Sequence, residues 1–426
     1  MIDVLQKELD SNKVEYLNYL KQLVNIDTQH IGQGIEGGRE FEGQQYLANL
    51  AQEIGATRIV FDQMQEGYIL RANDEYGEGN LGHNYINREN LYITFEGKSE
   101  GKTLMFNSHM DTMPPGPLEL WENHPHEATE RDGKLYGLGT ADMKAGLMAS
   151  LLAVKLLKDV GAEVSNNVII TSVVDEESGG NGSIQAAYNT PSADAVVVCE
   201  GTDCELILAH MGFVFFRITT IGKANHAGEK YKGISAIEKM QKVISSLQEL
   251  EYGWLFKYKH KLLPPPNINF GVLKGGTSGA TVPGKCELEI CIHYHPNTMD
   301  YDSVTQSVIE SVNRVAESDP WLKENPPILE VFQKGGAFEN KEGTEIVTAF
   351  KKSYQEIMGR EVKIVGSPAG CDSRIWKNIA KSETIQYGPG RLTECHSPNE
   401  FVKIDEFYKS ILTYAMLILN YAKVKG

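Results

Sequence analysis

The 426-residue sequence has few of the features that mark secreted, disulfide-bonded or membrane-spanning proteins. Its six cysteines are few for this length and irregularly spaced, which favours reduced thiols in a cytosolic enzyme over a disulfide framework. No apolar run approaches the roughly 20 residues that cross a bilayer. The first residues also lack the basic segment and apolar block of a signal peptide. We therefore expect a cytoplasmic protein that contacts no membrane.

Basic residues are scarce as well: 41 Lys and Arg stand against 57 Asp and Glu, which gives a net charge of −16 at pH 7. This balance disfavours a nucleic-acid groove and binding to an anionic membrane, and it predicts a solvated acidic surface. It does not restrict a small substrate, because a local basic pocket is compatible with a negative average. At 426 residues the chain is too long for one ordinary core, so we expect two domains.

Strands and helices alternate in the first part of the chain. The patterns predict strands at residues 90–95, 103–107, 168–174 and 195–199, and helices at 4–25, 44–54 and 144–157. The stretch 65–90 lacks strong periodicity and is predicted to be irregular. Strands that alternate with helices predict an α/β fold in which three layers enclose a largely parallel sheet.

The pattern changes after residue 207. There the sequence predicts a strand at 210–221, a helix at 234–249, strands at 267–273 and 285–293, and a helix at 301–316. This order suits an antiparallel sheet with helices on one face, and so a separate α+β domain. Further elements are predicted at 344–358, 362–365, 383–387 and 404–422. We therefore predict a discontinuous catalytic domain, residues 1–206 and 324–426, with residues 207–323 inserted in it.

Metal-type side chains follow several of the predicted strands. His109 ends one apolar run, Glu200 follows another, and His396 lies in a loop after a third. The carboxyl ends of strands are where open α/β sheets place their ligands. Imidazoles and carboxylates gathered from distant segments suit divalent ions that stay open to water, whereas a structural zinc site would use closely spaced ligands. Each residue alone also fits an ordinary loop position.

The run Asp175-Glu176-Glu177 is the most informative segment. Three consecutive acids at a strand end repel one another unless cations or protons compensate. Of two adjacent carboxylates, one can bind a metal while the other transfers a proton. We therefore predict that Glu177 binds a metal and Glu176 acts as the general base. An exposed acidic turn is the alternative.

Two further aspartates complete the predicted site. Asp142 follows a glycine-rich loop that lacks the spacing of a phosphate loop, and its carboxylate could bridge two ions. A helix N-cap is the alternative for Asp142. Asp111 could accept a hydrogen bond from the second ring nitrogen of His109 and so fix its tautomer.

Together these segments resemble the M20 group of dinuclear zinc peptidases and deacylases, which includes acetylornithine deacetylase and succinyl-diaminopimelate desuccinylase. The resemblance extends from the opening helix to Asn399-Glu400. It implies that Asp142 bridges two divalent ions, most simply Zn²⁺ with Co²⁺ or Mn²⁺ as alternatives, held by His109 and Glu200 on one side and by Glu177 and His396 on the other. It also implies that Glu176 is the general base and that the Asp111 carboxylate orients His109.

The same resemblance gives the inserted domain a role as a lid and as the surface of a homodimer. His226, in the segment 222–228, resembles the histidine that polarises the scissile carbonyl. Arg374 matches an arginine that clamps a substrate carboxylate, although an internal salt bridge remains the alternative, and Gly276 is our second candidate for substrate contact.

The lid departs from the related deacylases and desuccinylases. Ala280 stands where they commonly have Asn, and Cys291 and His293 replace an Asp-x-Arg pair. These changes weaken a match to acetylornithine or succinyl-diaminopimelate as substrate. The segment 67–88 instead resembles the branch that contains formylaminopyrimidine deformylase.

We therefore expect a metal-dependent hydrolase that cleaves the amide bond of a small N-acylated amine. A metallo-exopeptidase acting on short peptides would use the same residues, and the products would distinguish the two. A third hypothesis is a binding protein with an inactive hydrolase fold, which would usually have lost a ligand or the base.

Overall fold

The computed structural model describes residues 1–98 and 101–421 of the chain. It divides into two compact units. The first comprises Met1–Leu208, Asn340–Val365 and Cys371–Gly426, and the second comprises Ala209–Glu339 and Gly366–Gly370. Among the described residues, none of the helices combines the length and the apolar character that crossing a bilayer requires.

The helices of the described residues fall in both units. In chain order they are α1 (Ile2–Val24), α2 (Phe41–Ile54), α3 (Glu66–Tyr76), α4 (Ala145–Asp159), α5 (Asn181–Asn189), α6 (Ala236–Lys257), α7 (Tyr301–Ser318), α8 (Pro320–Glu324), α9 (Glu345–Met358), α10 (Ser373–Asn378) and α11 (Ile404–Tyr421). Short helical turns lie at Leu118–Leu120, Thr140–Lys144 and Ala227–Lys232.

The strands are numbered in the same way. They are β1 (His30–Ile31), β2 (Gly37–Gly38), β3 (Arg58–Gln63), β4 (Glu89–Phe95), β5 (Thr103–His109), β6 (Thr129–Arg131), β7 (Lys134–Tyr136), β8 (Asn167–Val173), β9 (Ala195–Val198), β10 (Leu206–His210), β11 (Gly212–Ile221), β12 (Asn225–His226), β13 (Asn267–Gly275), β14 (Thr281–Val282), β15 (Lys285–Tyr294), β16 (Ile328–Gly335), β17 (Phe338–Glu339), β18 (Ile364–Ser367), β19 (Glu383–Gln386) and β20 (Phe401–Lys403).

A mixed sheet forms the centre of the first unit. Its middle strands β19, β9, β5 and β8 are parallel to one another, with Leu104 of β5 opposite Ala195 of β9 and Val168 of β8. Strand β4 runs antiparallel to β8, and β3 runs antiparallel to β4. The parallel core therefore matches the prediction, and antiparallel strands flank it.

Both faces of this sheet are covered, as the alternation of side chains along β5 shows. Met105 packs on one face with Ala186 of α5 and Trp376 of α10. Phe106 points to the other face, where its ring lies 5.0 Å from that of Tyr414 in α11. Because helices bury apolar side chains on both faces, the unit is a three-layer α/β structure. The predicted fold class is confirmed.

The second unit is built on an antiparallel sheet in the order β13-β15-β11-β16. Along β11 the residues Val214, Phe216 and Ile218 are buried, and they share one apolar core with Met240 of α6 and Val308 of α7. One face of the sheet thus carries the core under two helices, which is the α+β arrangement that the sequence predicts.

Most predicted elements match the observed ones, but the stretch 65–90 does not. It was expected to be irregular, and this is wrong for α3, Glu66–Tyr76. That helix buries only Ile69 and Ala72, whereas Leu70 and Tyr76 are exposed, so its apolar residues do not lie on one face and show no clear helical period. The last predicted helix begins and continues as α11, although its predicted end at residue 422 lies outside the described residues.

Glycine at the start of α4 lets this helix approach the strand ends closely. A Cβ atom on Gly146 would lie 1.9 Å from the carbonyl oxygen of Cys199, immediately after β9. No side chain fits at that distance, so the first turn of α4 packs directly against the backbone that leads to Glu200.

We predict that Gly146→Ala lowers the free energy of unfolding by about 1–3 kcal/mol, because helix and strand end must separate. The matched control is Gly253→Ala in α6, where an added Cβ would meet nothing within 4 Å. That control should instead raise the free energy of unfolding by about 0.5–1 kcal/mol. Urea unfolding of both variants measures the difference, and equal stabilities would contradict the close packing.

Candidate functional site

The parallel strands of the first unit deliver polar side chains to one edge of the sheet. Strand β5 ends on His109, β8 ends at Val173 just before the acidic run, and β9 ends two residues before Glu200. Strand β19 ends at Gln386, and the chain then leads to His396. Because parallel strands share one carboxyl edge, segments far apart in sequence meet there.

Asp142 lies between two imidazoles. Its Oδ1 is 2.9 Å from Nε2 of His109, and its Oδ2 is 3.2 Å from Nε2 of His396. Glu200 adds an oxygen 3.6 Å from the His109 nitrogen, and Glu177 adds one 2.9 Å from the His396 nitrogen. Each histidine therefore faces its own glutamate, and the two histidines share the carboxylate of Asp142.

The residues predicted as metal ligands are thus brought together. Ligand atoms of His109, Asp142 and Glu177 lie within 4.8 Å of one another, and so do those of His109, Glu176 and Glu200. Imidazole nitrogens and carboxylate oxygens form a donor set suited to zinc and its first-row neighbours. The donor set fits divalent cations.

The raised pKa values of the glutamates in this cluster also indicate a site for cations. Burial and the nearby charge of Asp142 raise the pKa of Glu177 to about 7 and that of Glu200 well above its usual value. Burial and the charge of Asp372 do the same to the pKa of Glu176. So many carboxylates in one pocket are costly unless positive charge compensates them.

The same carboxylates stabilise the charged forms of the two imidazoles, whose pKa values are also raised. Hydrogen bonds to Asp142 and Glu177 raise the pKa of His396 to about 11. Burial opposes charge on His109, yet its contact with Asp142 and the nearby Glu200 raise its pKa well above the usual value. Each ring nitrogen that faces a carboxylate therefore occupies a position that favours a cation, whether a proton or a metal ion.

The backbone around Asp142 is held by Glu400, which is 2 % exposed. Its Oε2 accepts the N–H of Gly139 at 2.9 Å, and its Oε1 accepts those of Ala141 at 2.7 Å and Asp142 at 3.1 Å. Sequence reasoning assigned no role to Glu400. Its position four residues after His396 was the available signal.

Asp111 makes two kinds of contact. Nδ1 of His109 donates to the Asp111 carbonyl oxygen at 2.8 Å, whereas the carboxylate is 3.7 Å from the same nitrogen. The carboxylate accepts the backbone N–H groups of Glu176 at 3.2 Å and Glu177 at 3.1 Å. The carbonyl therefore fixes the His109 tautomer with Nε2 facing Asp142. The Asp111 carboxylate instead holds the backbone of the acidic run at Glu176 and Glu177.

Arg374 is 2 % exposed and is engaged within the protein. Its Nε donates to Glu78 at 3.0 Å, and two other nitrogens donate to the carbonyls of Cys371 at 2.7 Å and Gly179 at 3.1 Å. This geometry favours the internal salt bridge over a clamp on substrate. Glu78 lies in the segment predicted to be irregular, and no sequence pattern there indicates a partner for Arg374.

His226 and Gly276 belong to the second unit. His226 is exposed, and its Nδ1 accepts the N–H of Gly228 at 3.1 Å. Gly276 follows β13 with a φ of +74°, a conformation that favours glycine. Ala280, which replaces an expected Asn, accepts the N–H of Ala227 through its backbone carbonyl. The roles predicted for His226 and Gly276 stay predictions.

The sequence of this chain is similar to those of known proteins over most of its length. The chain is 30% identical to the N-formyl-4-amino-5-aminomethyl-2-methylpyrimidine deformylase of Halalkalibacterium halodurans, over 97% of this chain and 96% of that protein. It is 29% identical to the acetylornithine deacetylase of Aliivibrio salmonicida, over 72% of this chain and 78% of that protein.

A solved structure shares the fold. The M20 family metallo-carboxypeptidase Sso-CP2 from Sulfolobus solfataricus superposes with a TM-score of 0.76 at 18% identity, covering 96% of this chain and all of that chain.

The sequence also matches a protein family. The sequence pattern of peptidase family M20/M25/M40 matches residues 105–420, which include all the candidate ligands. On these grounds the chain belongs to peptidase family M20/M25/M40.

Proposed function

We propose that this protein is a metal-dependent hydrolase that cleaves the amide bond of a small N-acylated amine, with a formamide as the first substrate to test. The observation that carries the proposal is the position of Asp142, whose two oxygens face the two imidazoles of His109 and His396. A carboxylate placed in this way suits a pair of divalent ions. The match to a deformylase along nearly the whole of both chains supports the formyl group.

Two ions would be held by the chain's own side chains. His109, Glu200 and Oδ1 of Asp142 would bind one, and His396, Glu177 and Oδ2 of Asp142 would bind the other. Zn²⁺ fits this donor set best, with Co²⁺ and Mn²⁺ as alternatives. When bound, such ions lower the pKa of a coordinated water and polarise the amide carbonyl.

Glu176 is the proton-transfer group in this proposal. It lies beside His109 and Glu200, close enough to form a group of possible ligands with them, but neither of the two proposed ion positions uses it. Its raised pKa, caused by burial and by the charge of Asp372, suits a carboxylate that takes a proton from water and returns it to the leaving amine. His226 would donate a hydrogen bond to the carbonyl oxygen as negative charge develops there.

The two units divide these roles. We propose that the first unit is the catalytic domain, and that the second is an inserted lid that also forms a homodimer. Gly276 of the lid would contact substrate through its backbone. Arg374 would shape the wall of the site, because its guanidinium is already bound by Glu78. The small number of cysteines supports a cytoplasmic location.

A metallo-exopeptidase remains the second candidate, since the fold is shared with a metallo-carboxypeptidase. The same ligands and base would serve a peptide bond. The two candidates differ in their products. An exopeptidase releases amino acids or shorter peptides, whereas a deacylase releases an amine and a short acid.

The first prediction concerns substrate. Protein reconstituted with Zn²⁺ should release formate from N-formyl derivatives of small amines faster than it releases acetate or succinate from matched derivatives. Chromatographic detection of the free amine, with dipeptides and tripeptides in the same panel, measures the preference. Amino acids released from the peptides, without hydrolysis of any acylated amine, would support the exopeptidase instead.

The second prediction concerns the base. Glu176→Gln should lower kcat by about 10²–10⁴-fold while both metal ions stay bound, because the amide cannot accept a proton. Elemental analysis gives the metal content, and steady-state kinetics gives kcat. The matched control is Glu163→Gln, an exposed glutamate paired with Lys98, which should leave kcat unchanged. Full activity in the Glu176 variant would rule out its role.

The third prediction concerns metal stoichiometry. Asp142→Asn should lose tight binding of both ions, because both groups share that carboxylate, whereas His396→Ala should retain the ion held by His109 and Glu200. Elemental analysis after dialysis counts zero and one ion per chain, against two in the unchanged protein. Equal metal content in the two variants would contradict the shared position of Asp142.

A further inference from the structure

A buried cluster of charged side chains lies behind the acidic run, away from the residues assigned a role above. We call it the anchor cluster, and it consists of Glu40, His83, Arg88, Asp175 and Asn181. Its members come from three stretches of the chain, at residue 40, at 83–88 and at 175–181, and Asp175 directly precedes Glu176 and Glu177.

Asp175 is the centre of the anchor cluster. Its Oδ2 accepts hydrogen bonds from Nδ1 of His83 at 2.6 Å and from the amide of Asn181 at 2.9 Å. Its Oδ1 lies 3.0 Å from Nη1 of Arg88. The side chain of Asp175 is fully buried, and that of His83 is 5% exposed. Two hydrogen bonds therefore hold one carboxylate oxygen, and the charge of Arg88 lies beside the other.

Arg88 is itself held in place. Its Nε lies 3.0 and 3.2 Å from the two oxygens of Glu40, and its Nη2 lies 2.5 Å from one of them. Neither side chain is exposed. One guanidinium thus serves two buried carboxylates, so removing it would take away the positive charge that Glu40 and Asp175 share.

The backbone conformation of Asp175 shows the effect of these contacts. Asp175 has a φ of +64°, a left-handed conformation that is uncommon for a residue other than glycine. Such a conformation persists only where the surroundings hold it. Here the side chain is held by His83 and Arg88, while the next two N–H groups, those of Glu176 and Glu177, are held by the Asp111 carboxylate.

The packing around Asp175 leaves no room for an alternative position. A Cβ atom on Gly34, which has a φ of +81°, would lie 2.5 Å from Oδ1 of Asp175 and 2.6 Å from Nδ1 of His83. The backbone at Gly34 therefore lies directly against this pair and limits the movement of both side chains on that side.

We propose that His83 and Arg88 are positioning residues, which set the directions of Glu176 and Glu177 by holding Asp175 at the end of β8. Neither residue touches the ligand group itself. The inference rests on the proposed two-ion site, because its effect is on how well Glu177 binds metal and how well Glu176 reaches the water. Groups that support metal ligands from behind typically change metal affinity or activity by about 10–100-fold when removed.

Two substitutions of one histidine test this inference with little change in volume. The amide nitrogen of Asn can occupy the place of Nδ1, whereas that of Gln, one methylene longer, corresponds to Nε2. His83→Asn should therefore keep the hydrogen bond to Asp175 and bind Zn²⁺ within a few-fold of the unchanged protein. His83→Gln and His83→Ala should bind it about 10–100-fold more weakly.

Competition titration of apoprotein against a zinc chelator measures these affinities without any substrate. The control is His260→Ala, which removes a histidine of the second unit that lies 3.3 Å from a carboxylate oxygen of Glu339. It should leave zinc affinity unchanged. Where a substrate is in hand, kcat should fall with zinc affinity across the His83 variants at saturating metal, with KM unchanged.

The outcomes separate this inference from the proposed function. Equal zinc affinities for His83→Asn and His83→Gln overturn the positioning role, and so does a His83→Ala protein with the affinity of the unchanged one. Failure of the unchanged protein to bind two ions contradicts the proposed function instead. If His83→Ala does not fold, the Asn and Gln variants still decide the question.

Discussion

One carboxylate shared between two imidazoles is the interaction on which the rest of this structure depends. Asp142 lies 2.9 Å from His109 and 3.2 Å from His396, and each histidine has its own glutamate neighbour. The chain brings these residues together only because parallel strands end at one edge of a sheet and because α4 packs against the backbone beside Glu200. The fold therefore keeps five polar side chains close together, in the arrangement that the two proposed cations would require.

The buried acids of the first unit serve two different purposes. Asp142, Glu177 and Glu200 place their oxygens close together around His109 and His396, which is costly without cations. Asp111, Asp175 and Glu400 instead accept hydrogen bonds from backbone N–H groups or from buried side chains. This second set shapes the loops that carry the first. Carboxylates that bind neither metal nor substrate therefore stabilise a site of this kind.

The sequence indicates the candidate ligands, but it does not indicate the residues that hold them in place. His109 and Glu200 could be predicted because apolar strands end on them, and the acidic run was visible as three charges in a row. The roles of Glu400 and of the Arg88–Asp175 pair could not be predicted, since nothing local distinguishes a buried ion pair from two surface charges. Helix α3 was missed for another reason: its apolar residues do not lie on one face and show no clear helical period.

The central claim is that Asp142 separates two cation positions, and anomalous diffraction at the zinc edge tests it most directly. Crystals of the zinc-loaded protein should show two anomalous peaks per chain, one beside Oδ1 of Asp142 and His109 and the other beside Oδ2 and His396. A single peak, or two peaks that both lie away from Asp142, would contradict the account.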